Sequence, residues 1–339
     1  MAQHSYGIDL GSSNFKIYSL SNDKFLVEKN VIARKKKNII VDYGNEAYNI
    51  YEKSPENINV IFPVQYGVIG DIHNMFLLFE RFFKKINDKQ FFGSTNFCIA
   101  VPTDITEVEK RAFFDLIAES KVKAKRVKVV EKPIGAAIGL GIDVSRRAGN
   151  MIIDIGADTT EISIVAMNGI VMSKLLRCGG NIIDDNISNL VKRKYNLIIG
   201  KKTAELIKYN LADAMNRDNK TFVAYGRNLL SGLPDSKEID SSLIYDAIKD
   251  VLFSILDEVK LMMQRTPPEI IADIKNNGIY ITGGSAKINH LDMLIFNETG
   301  IDVNINDDPE MTVIKGVQRI LSVPKLSKYM YIPREKTYL

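Results

Sequence analysis

Tryptophan is absent from this chain, cysteine occurs twice and histidine three times. The absence of tryptophan beside abundant Lys, Asn and Ile fits an AT-rich genome and says nothing of mechanism. Cys98 and Cys178 each lie in or beside an apolar run and read most simply as buried, reduced thiols of a cytosolic protein. His4, His73 and His290 are too scattered for a His-rich site, and no Cys or His pair has metal-ligand spacing. No apolar run approaches the ~20 residues that a spanning helix needs, and no signal peptide is apparent. Charge of one sign is also lacking: 45 Lys and Arg face 41 Asp and Glu, for a net charge of +4. Spread along the chain, that excess does not argue for nucleic acid. Its densest run, Arg34-Lys35-Lys36-Lys37, reads as a solvated loop.

What is present is an ordinary globular composition, 45% hydrophobic and 25% charged over 339 residues, enough for two domains or one large one. Two short stretches resemble each other. Gly7-Ile8-Asp9-Leu10-Gly11-Ser12-Ser13-Asn14 and Asp154-Ile155-Gly156-Ala157-Asp158-Thr159-Thr160-Glu161 each carry an Asp at the end of an expected strand and turn through Gly into hydroxyl residues. Glycine lets the backbone approach a phosphate closely. Ser12, Ser13, Thr159 and Thr160 add donors, and Lys16 alternates within the next strand, from which it can reach a phosphate as a point charge. Asp9 and Asp154 are the hard oxygen ligands that could flank one Mg²⁺ through its water shell. A third strand-end loop, Gly283-Gly284-Ser285, makes three such loops, hard to explain as turns alone.

The periodicity supports a duplication. Residues 5–10, 15–20 and 25–33 read as strands, 34–70 as irregular around Pro55 and Pro63, and 72–86 as a helix. A strand at 97–101 precedes a helix opened by Thr106 and Glu109, which match a capping box. A strand at 127–130 leads to Pro133 and a small-residue helix at 135–139. The pattern restarts with strands at 150–155, 161–167 and 169–177, helices at about 182–195, 201–214 and 241–265, and a strand at 278–282 followed by a helix. A β-β-β-α-β-α order occurring twice argues for two α/β domains with a cleft between them and a nucleotide clamped there.

At this point the chain resembles the actin-like ATPases, and among them the bacterial MreB cell-shape family. Both phosphate loops carry the resemblance. So do Gly67-Val68-Ile69, Pro102 with Ile105–Arg111, Pro133 with Ala136–Gly139, and Gly179-Gly180. It continues through Arg193–Gly200, Thr203-Ala204-Glu205, Thr266-Pro267-Pro268-Glu269 and Ile281-Thr282-Gly283-Gly284, in order from about residue 5 to 320. The loops are shared with Hsp70 chaperones and sugar kinases; the stretches at 193–205 and 266–269 are specific to MreB. The implied fold is an α/β actin-like ATPase fold. It consists of two duplicated RNase H-like sheet-and-helix domains flanking a nucleotide cleft, each with a smaller inserted subdomain. The expected boundaries are domain I at 1–144, with core 1–33 and 72–144 and a small subdomain at about 34–71. Domain II spans 145–324, with core about 145–181 and 262–324 and a small helical subdomain at about 182–261; a tail covers 325–339.

The resemblance implies ATP or ADP with Mg²⁺ as cofactors. It puts Asp9 and Asp154 on the Mg²⁺ shell, Gly11, Ser12, Ser13, Asn14 and Lys16 with Gly156, Ala157, Asp158, Thr159 and Thr160 at the phosphates, and Gly180 beside them. Glu205 and Lys208 lie against ribose and adenine, and Gly283, Gly284 and Ser285 close over the adenosine. The helix near Ala136–Gly139 and the segment near Gly316 are implied hinges.

Two departures matter more than the matches. The family usually has an acidic residue directly before the proline of the Pro133 motif, taken to orient the attacking water; here it is Lys132, and Glu131 one residue earlier points the other way in an extended segment. Asp158 stands where the family normally has Gly, and could pair with Lys132, while Thr159, a hydroxyl also implicated in hydrolysis, is retained. Orienting a nucleophile needs an acceptor, so the expectation is ATP binding with slow or absent hydrolysis.

The implied partners are the chain itself, in head-to-tail protofilaments that pair antiparallel in this family, the inner face of the cytoplasmic membrane, and paralogous actin-like proteins. The expected location is cytoplasmic and peripheral on that membrane. Only Met1–Ser5 precede the first strand, too few for an amphipathic anchor, so the membrane candidate is Phe91-Phe92 with Lys84, Lys85 and Lys89 nearby; the alternative is that these Phe pack on the core. The tail is basic and aromatic, contains Pro333, is not one helix, and is either a partner-binding extension or disordered. Rival functions are a plasmid-segregation filament, a non-hydrolysing scaffold modulating an active paralogue and, more remotely, a sugar kinase, for which no catalytic Asp with a sugar-binding cluster is evident.

Overall fold

The structure is a computed structural model and describes residues 4–35, 39–87 and 95–333. Phe91 and Phe92 lie outside them. In chain order the first elements are β1 (His4–Leu10), β2 (Asn14–Ser19), β3 (Lys24–Lys29), β4 (Ile32–Lys35), β5 (Ile39–Tyr43), α1 (Gly44–Ile50), β6 (Ile58–Ile61), β7 (Val64–Gln65) and β8 (Val68–Ile69). Then come α2 (Ile72–Ile86), β9 (Thr95–Val101), α3 (Glu107–Ala118), β10 (Ala124–Glu131) and α4 (Lys132–Gly139). The second series is β11 (Asn150–Ile155), β12 (Thr160–Ala166), β13 (Gly169–Leu176), α5 (Gly180–Tyr195), β14 (Leu197–Ile198), α6 (Lys201–Leu211), β15 (Thr221–Asn228) and β16 (Pro234–Asp240). It ends with α7 (Ser241–Arg265), α8 (Pro268–Asn277), β17 (Ile279–Thr282), α9 (Leu291–Thr299), β18 (Val303–Ile305) and α10 (Thr312–Ser322).

The duplication read from the sequence is visible in strand order. One five-stranded sheet runs β10-β9-β1-β2-β3 and the other β13-β12-β11-β17-β18. In the first, β1 is antiparallel to β2 and parallel to β9, and β9 is parallel to β10. In the second, β11, β17 and β18 form the matching parallel ladder. By contact the chain divides into one unit of Met1–Arg147, Ser163–Leu175 and Glu310–Leu339, and another of Ala148–Ile162 and Leu176–Pro309.

In the first unit, Ile8, Leu10, Phe15, Ile17 and Ile99 from the sheet meet Met75, Leu78, Phe79 and Phe82 of α2, all fully or nearly fully buried. The helical spacing of those α2 residues is what made 72–86 legible, and Asp71 caps the helix by accepting from the Asn74 amide at 3.0 Å. The capping box at Thr106 and Glu109 forms as read. The described residues of the stretch expected to be irregular form regular elements: β5-β4-β6 make a small sheet, β7 and β8 a hairpin, and α1 one short helix. Its elements are too short to show a period. In the second unit the subdomain expected to be helical at about 182–261 includes a strand pair, β15 with β16. One face of β15 (Thr221, Val223, Tyr225, Arg227) is exposed, so polar and apolar residues mix on it and the alternation is blurred.

Residues 325–333 are not disordered. Pro324–Tyr329 form a 3-10 helix, and Tyr331 exchanges backbone hydrogen bonds with Val129 at 2.8 and 2.9 Å. β10 is an edge strand, and its open backbone groups are what the tail pairs with.

The two stretches expected as hinges pack directly on each other. On Gly316 of α10 a Cβ would stand 1.7 Å from the Gly135 carbonyl oxygen, and on Gly139 of α4 one would stand 2.0 Å from that of Thr312. Arg319 closes the seam by donating to the Ile138 carbonyl at 2.8 Å. Only glycine permits this backbone-to-backbone approach. Gly316→Ala is therefore expected to lower the unfolding free energy by about 1–3 kcal/mol through overpacking. Urea denaturation measures it; an unchanged midpoint would mean that the helices separate without cost.

Candidate functional site

In the first unit β1 ends at Asp9-Leu10 and the chain reverses through Gly11–Ser13 into β2. The turn closes with the Gly11 amide donating to the Asn14 carbonyl at 2.9 Å. The end of β3 braces it: Asn30 donates its side-chain amide to the Gly11 carbonyl at 2.9 Å and its backbone N–H to Ser13 O at 2.8 Å, while Lys29 reaches Ser13 Oγ at 3.2 Å. Sequence reasoning missed Lys29 and Asn30, because nothing local distinguishes an Asn that ends a third strand.

Asp9 is the electrostatic centre of this unit. Antiparallel register sets it opposite Lys16, whose Nζ lies 2.8 Å from Oδ2. Lys132 opens α4; its Nζ lies 3.4 Å from Oδ1 and donates to the Leu10 carbonyl at 3.2 Å. The side chains of Asp9, Lys16 and Lys132 are 5%, 11% and 14% exposed, so little solvent screens them. Burial alone would push the Asp9 carboxyl up; the Lys16 and Lys132 ammonium groups outweigh it and hold the value down at about 2. Glu131 is turned to the tail, where the Tyr331 hydroxyl donates to it at 3.4 Å.

The second unit repeats the turn. The Gly156 amide donates to the Thr159 carbonyl at 2.8 Å, and at Gly11 and Gly156 alike a Cβ would stand 3.1 Å from the accepting oxygen. Here the brace is the start of α5. The Gly180 amide donates to Gly156 O at 3.0 Å, the Asn181 amide to Ala157 O at 2.7 Å, and the Asn181 side chain to Asp158 Oδ1 at 2.6 Å. The Thr160 hydroxyl donates to Cys178 O at 2.8 Å. Gly283 follows β17 with φ +88°, and a Cβ on it would collide with the Ile155 carbonyl and stand 2.6 Å from Asp154 Oδ1. Ser285 Oγ lies 3.4 Å from Gly156 O. Lys208 of α6 donates to Gly180 O at 3.1 Å and pairs with Asp184 at 2.8 Å. Asp184 is nonetheless raised to about 6, because burial outweighs its lysine. Glu205, on the same helix, accepts from the Tyr209 hydroxyl at 3.4 Å. Within this unit Gly156–Thr160, Gly180, Lys208, Gly283 and Ser285 are thus brought together. Asn181 and Asp184 were missed; the only signal for Asp184 was its place beside the apolar stripe of Ile183, Ile187 and Val191.

Against this geometry, the family described as MreB/Mbl protein matches residues 3–328. The chain belongs to the MreB/Mbl family. It is similar to the cell shape-determining protein Mbl of Bacillus subtilis, with 35% identity over 97% of this chain and 99% of that one. The cell shape-determining protein MreB of Escherichia coli K12 is 33% identical over 95% and 94%. Among solved structures, MreB5 of Spiroplasma citri bound to ADP superposes with TM-score 0.91 at 29% identity, covering 96% of this chain and 98% of that one. The MamK double helical filament, at 21% identity and TM-score 0.80 over 95% and 99%, shares the fold. The α/β fold is actin-like.

As an MreB/Mbl chain, this one would be expected to seat a hydrated Mg²⁺ beside Asp9. The residues present do not fit that ion on Asp9. A hydrated dication there would face two little-exposed ammonium groups, 2.8 and 3.4 Å from the carboxylate oxygens, and their repulsion opposes it.

The low Asp9 value makes folding pH-dependent. A carboxyl depressed from 3.8 to about 2 stabilises the folded chain above the unfolded value, and the contribution is lost as pH falls towards 2. Asp9→Asn leaves two ammonium groups buried without their anion, and is expected to cost about 3–5 kcal/mol at pH 7. The difference from the wild type should shrink as pH falls below about 4. Urea unfolding across that range checks it; a gap independent of pH would contradict the pairing.

Proposed function

We propose that this chain is an ATP-binding, filament-forming cytoskeletal protein that controls cell shape or motility, with slow or absent ATP hydrolysis. The observation that carries nucleotide binding is the pair of matched strand-end turns, closed by equivalent Gly11-to-Asn14 and Gly156-to-Thr159 hydrogen bonds. Hydroxyls at Ser12, Ser13 and Thr159 sit in or beside these turns. Similarity to MreB5 structures bound to ADP and to AMPPNP supports an adenine nucleotide. Membership of a family whose curated relatives are cell shape-determining proteins supports the cytoskeletal part.

Slow hydrolysis follows from Lys132. Its ammonium offers three donors and no acceptor, and it is held on Asp9 and the Leu10 carbonyl. A water molecule beside it can accept a hydrogen bond from the ammonium but can neither donate one nor hand over a proton to it. Phosphoryl transfer to water then lacks one of its usual parts. Head-to-tail contacts between identical chains that do not close generate filaments. With ATP the purified chain is expected to sediment as polymer while releasing phosphate barely above background. Lys132→Glu should raise phosphate release several-fold, by restoring an acceptor. Rapid release by the wild type would end the slow-hydrolysis reading, and failure to sediment under any nucleotide would end the filament reading.

Attachment to the cytoplasmic face of a membrane is supported by sequence alone. Among the described residues no helix is long and apolar enough to cross a bilayer. Phe91 and Phe92, flanked by Lys84, Lys85 and Lys89, offer a small apolar wedge beside cations. Liposomes containing anionic lipid are expected to carry the wild type into the pellet, with binding much reduced in Phe91→Ser/Phe92→Ser. Equal pelleting of the two proteins would remove the loop from the reading.

A further inference from the structure

The first phosphate loop carries its own cation. Asp9, Lys16 and Lys132 form a nearly dry cluster of one negative and two positive charges, with ammonium nitrogens 2.8 and 3.4 Å from the two carboxylate oxygens. Its net charge is +1, and it lies at the strand end from which Gly11–Ser13 turn. Lys132 is fixed there from two sides. It donates to Leu10 O at 3.2 Å, the carbonyl directly before the loop. It also sits at the first turn of α4, which the glycine seam holds in backbone contact with α10.

Charge bookkeeping decides what this cluster does. With Glu at position 132 the same three groups would sum to −1, and bringing them back to +1 would take one divalent cation. The ammonium of Lys132 therefore supplies the same change, two units of charge, that Mg²⁺ would supply. A dication brought up to the existing cluster would meet two ammonium groups at low exposure, where Coulomb repulsion is several times stronger than in water. Phosphate oxygens, by contrast, need only positive charge and donors, and lysine provides both as a point charge.

We propose that Lys132 stands in for the divalent cation at the first phosphate loop, so that this chain binds adenine nucleotide with an affinity that does not depend on Mg²⁺. The proposal rests on the nucleotide-binding reading and concerns binding rather than turnover. It makes Lys132 a phosphate-binding group, with Asp9 as its positioning residue.

Titration of the full chain with ATP carrying a fluorescent ribose label, in excess Mg²⁺ and in excess EDTA, tests it. The wild type is expected to give dissociation constants within about threefold of each other in the two media, a difference below 1 kcal/mol. Lys132→Glu should bind at least about tenfold more weakly in EDTA than in Mg²⁺. Lys132→Gln, which removes the charge without adding an acid, should lose affinity in EDTA relative to the wild type, and circular dichroism establishes that each variant is folded. Wild-type binding that needs Mg²⁺ overturns the proposal while leaving the nucleotide reading intact. Equal metal-independence in the wild type and Lys132→Gln also overturns it, because the ammonium would then be dispensable. Absence of saturable binding in both media overturns the nucleotide reading and the proposal with it.

Discussion

One buried carboxylate organises the first half of this protein. Asp9 is charged, almost without solvent, and is stabilised there only because two lysines reach it from different elements. Lys16 comes from the neighbouring strand through antiparallel register, so a slip of one residue would turn it to the other face of the sheet. Lys132 comes from the start of α4, whose position is set by glycine contacts to α10. The sheet register, the α4–α10 seam and the shape of the first loop are thus tied to a single ionic cluster. Losing any of these supports would leave an uncompensated buried charge, which costs more than the pair contributes.

The two strand-end loops share a turn and differ in what supports it. In the first, side chains from the end of β3 fill the space under the loop. In the second, the amides of Gly180 and Asn181 at the start of α5 do so, and Gly179 has no room for a Cβ, which would stand 2.7 Å from the Ala157 carbonyl. A duplicated unit can keep the closing hydrogen bond, fixed by local geometry, while the brace is rebuilt from whatever element lies behind it. The charges have diverged as well. The first loop rests on a cluster of net +1, whereas the second carries Asp158, held by Asn181.

What was legible in the sequence follows from range. The strand-end loops, the capping box at Thr106 and the amphipathic run of α2 are encoded within a few residues, and all are present as read. The duplicated strand order could be read because each half repeats the same local signals in the same order. The β15–β16 pair was missed because its exposed face mixes Val223 and Tyr225 with Thr221 and Arg227, which hides the period of two. The supporting residues of the site were hidden for a different reason. Asn30 and Asp184 matter through contacts with residues about 20 or more positions away, at Gly11 and Lys208, and no local pattern encodes such a contact. The docked tail belongs to the same class, since its partner Val129 lies about 200 residues earlier.

Lys132 shows how a departure from a family pattern differs from simple loss. Replacing an acid by an alanine would remove an acceptor and leave the local charge to whatever cation arrives. Replacing it by lysine removes the acceptor and reverses the charge in the same step. In an exposed loop that reversal would be screened and cheap to reverse by ions. Here the side chain is 14% exposed and lies within 3.4 Å of an aspartate whose other oxygen is already paired. Charge of this kind cannot be neutral in its effect on an anionic ligand. Under the nucleotide-binding reading it favours phosphate and disfavours a metal ion. Under the proposed function, binding and hydrolysis, which a shared acid and metal would keep together, are set by separate residues.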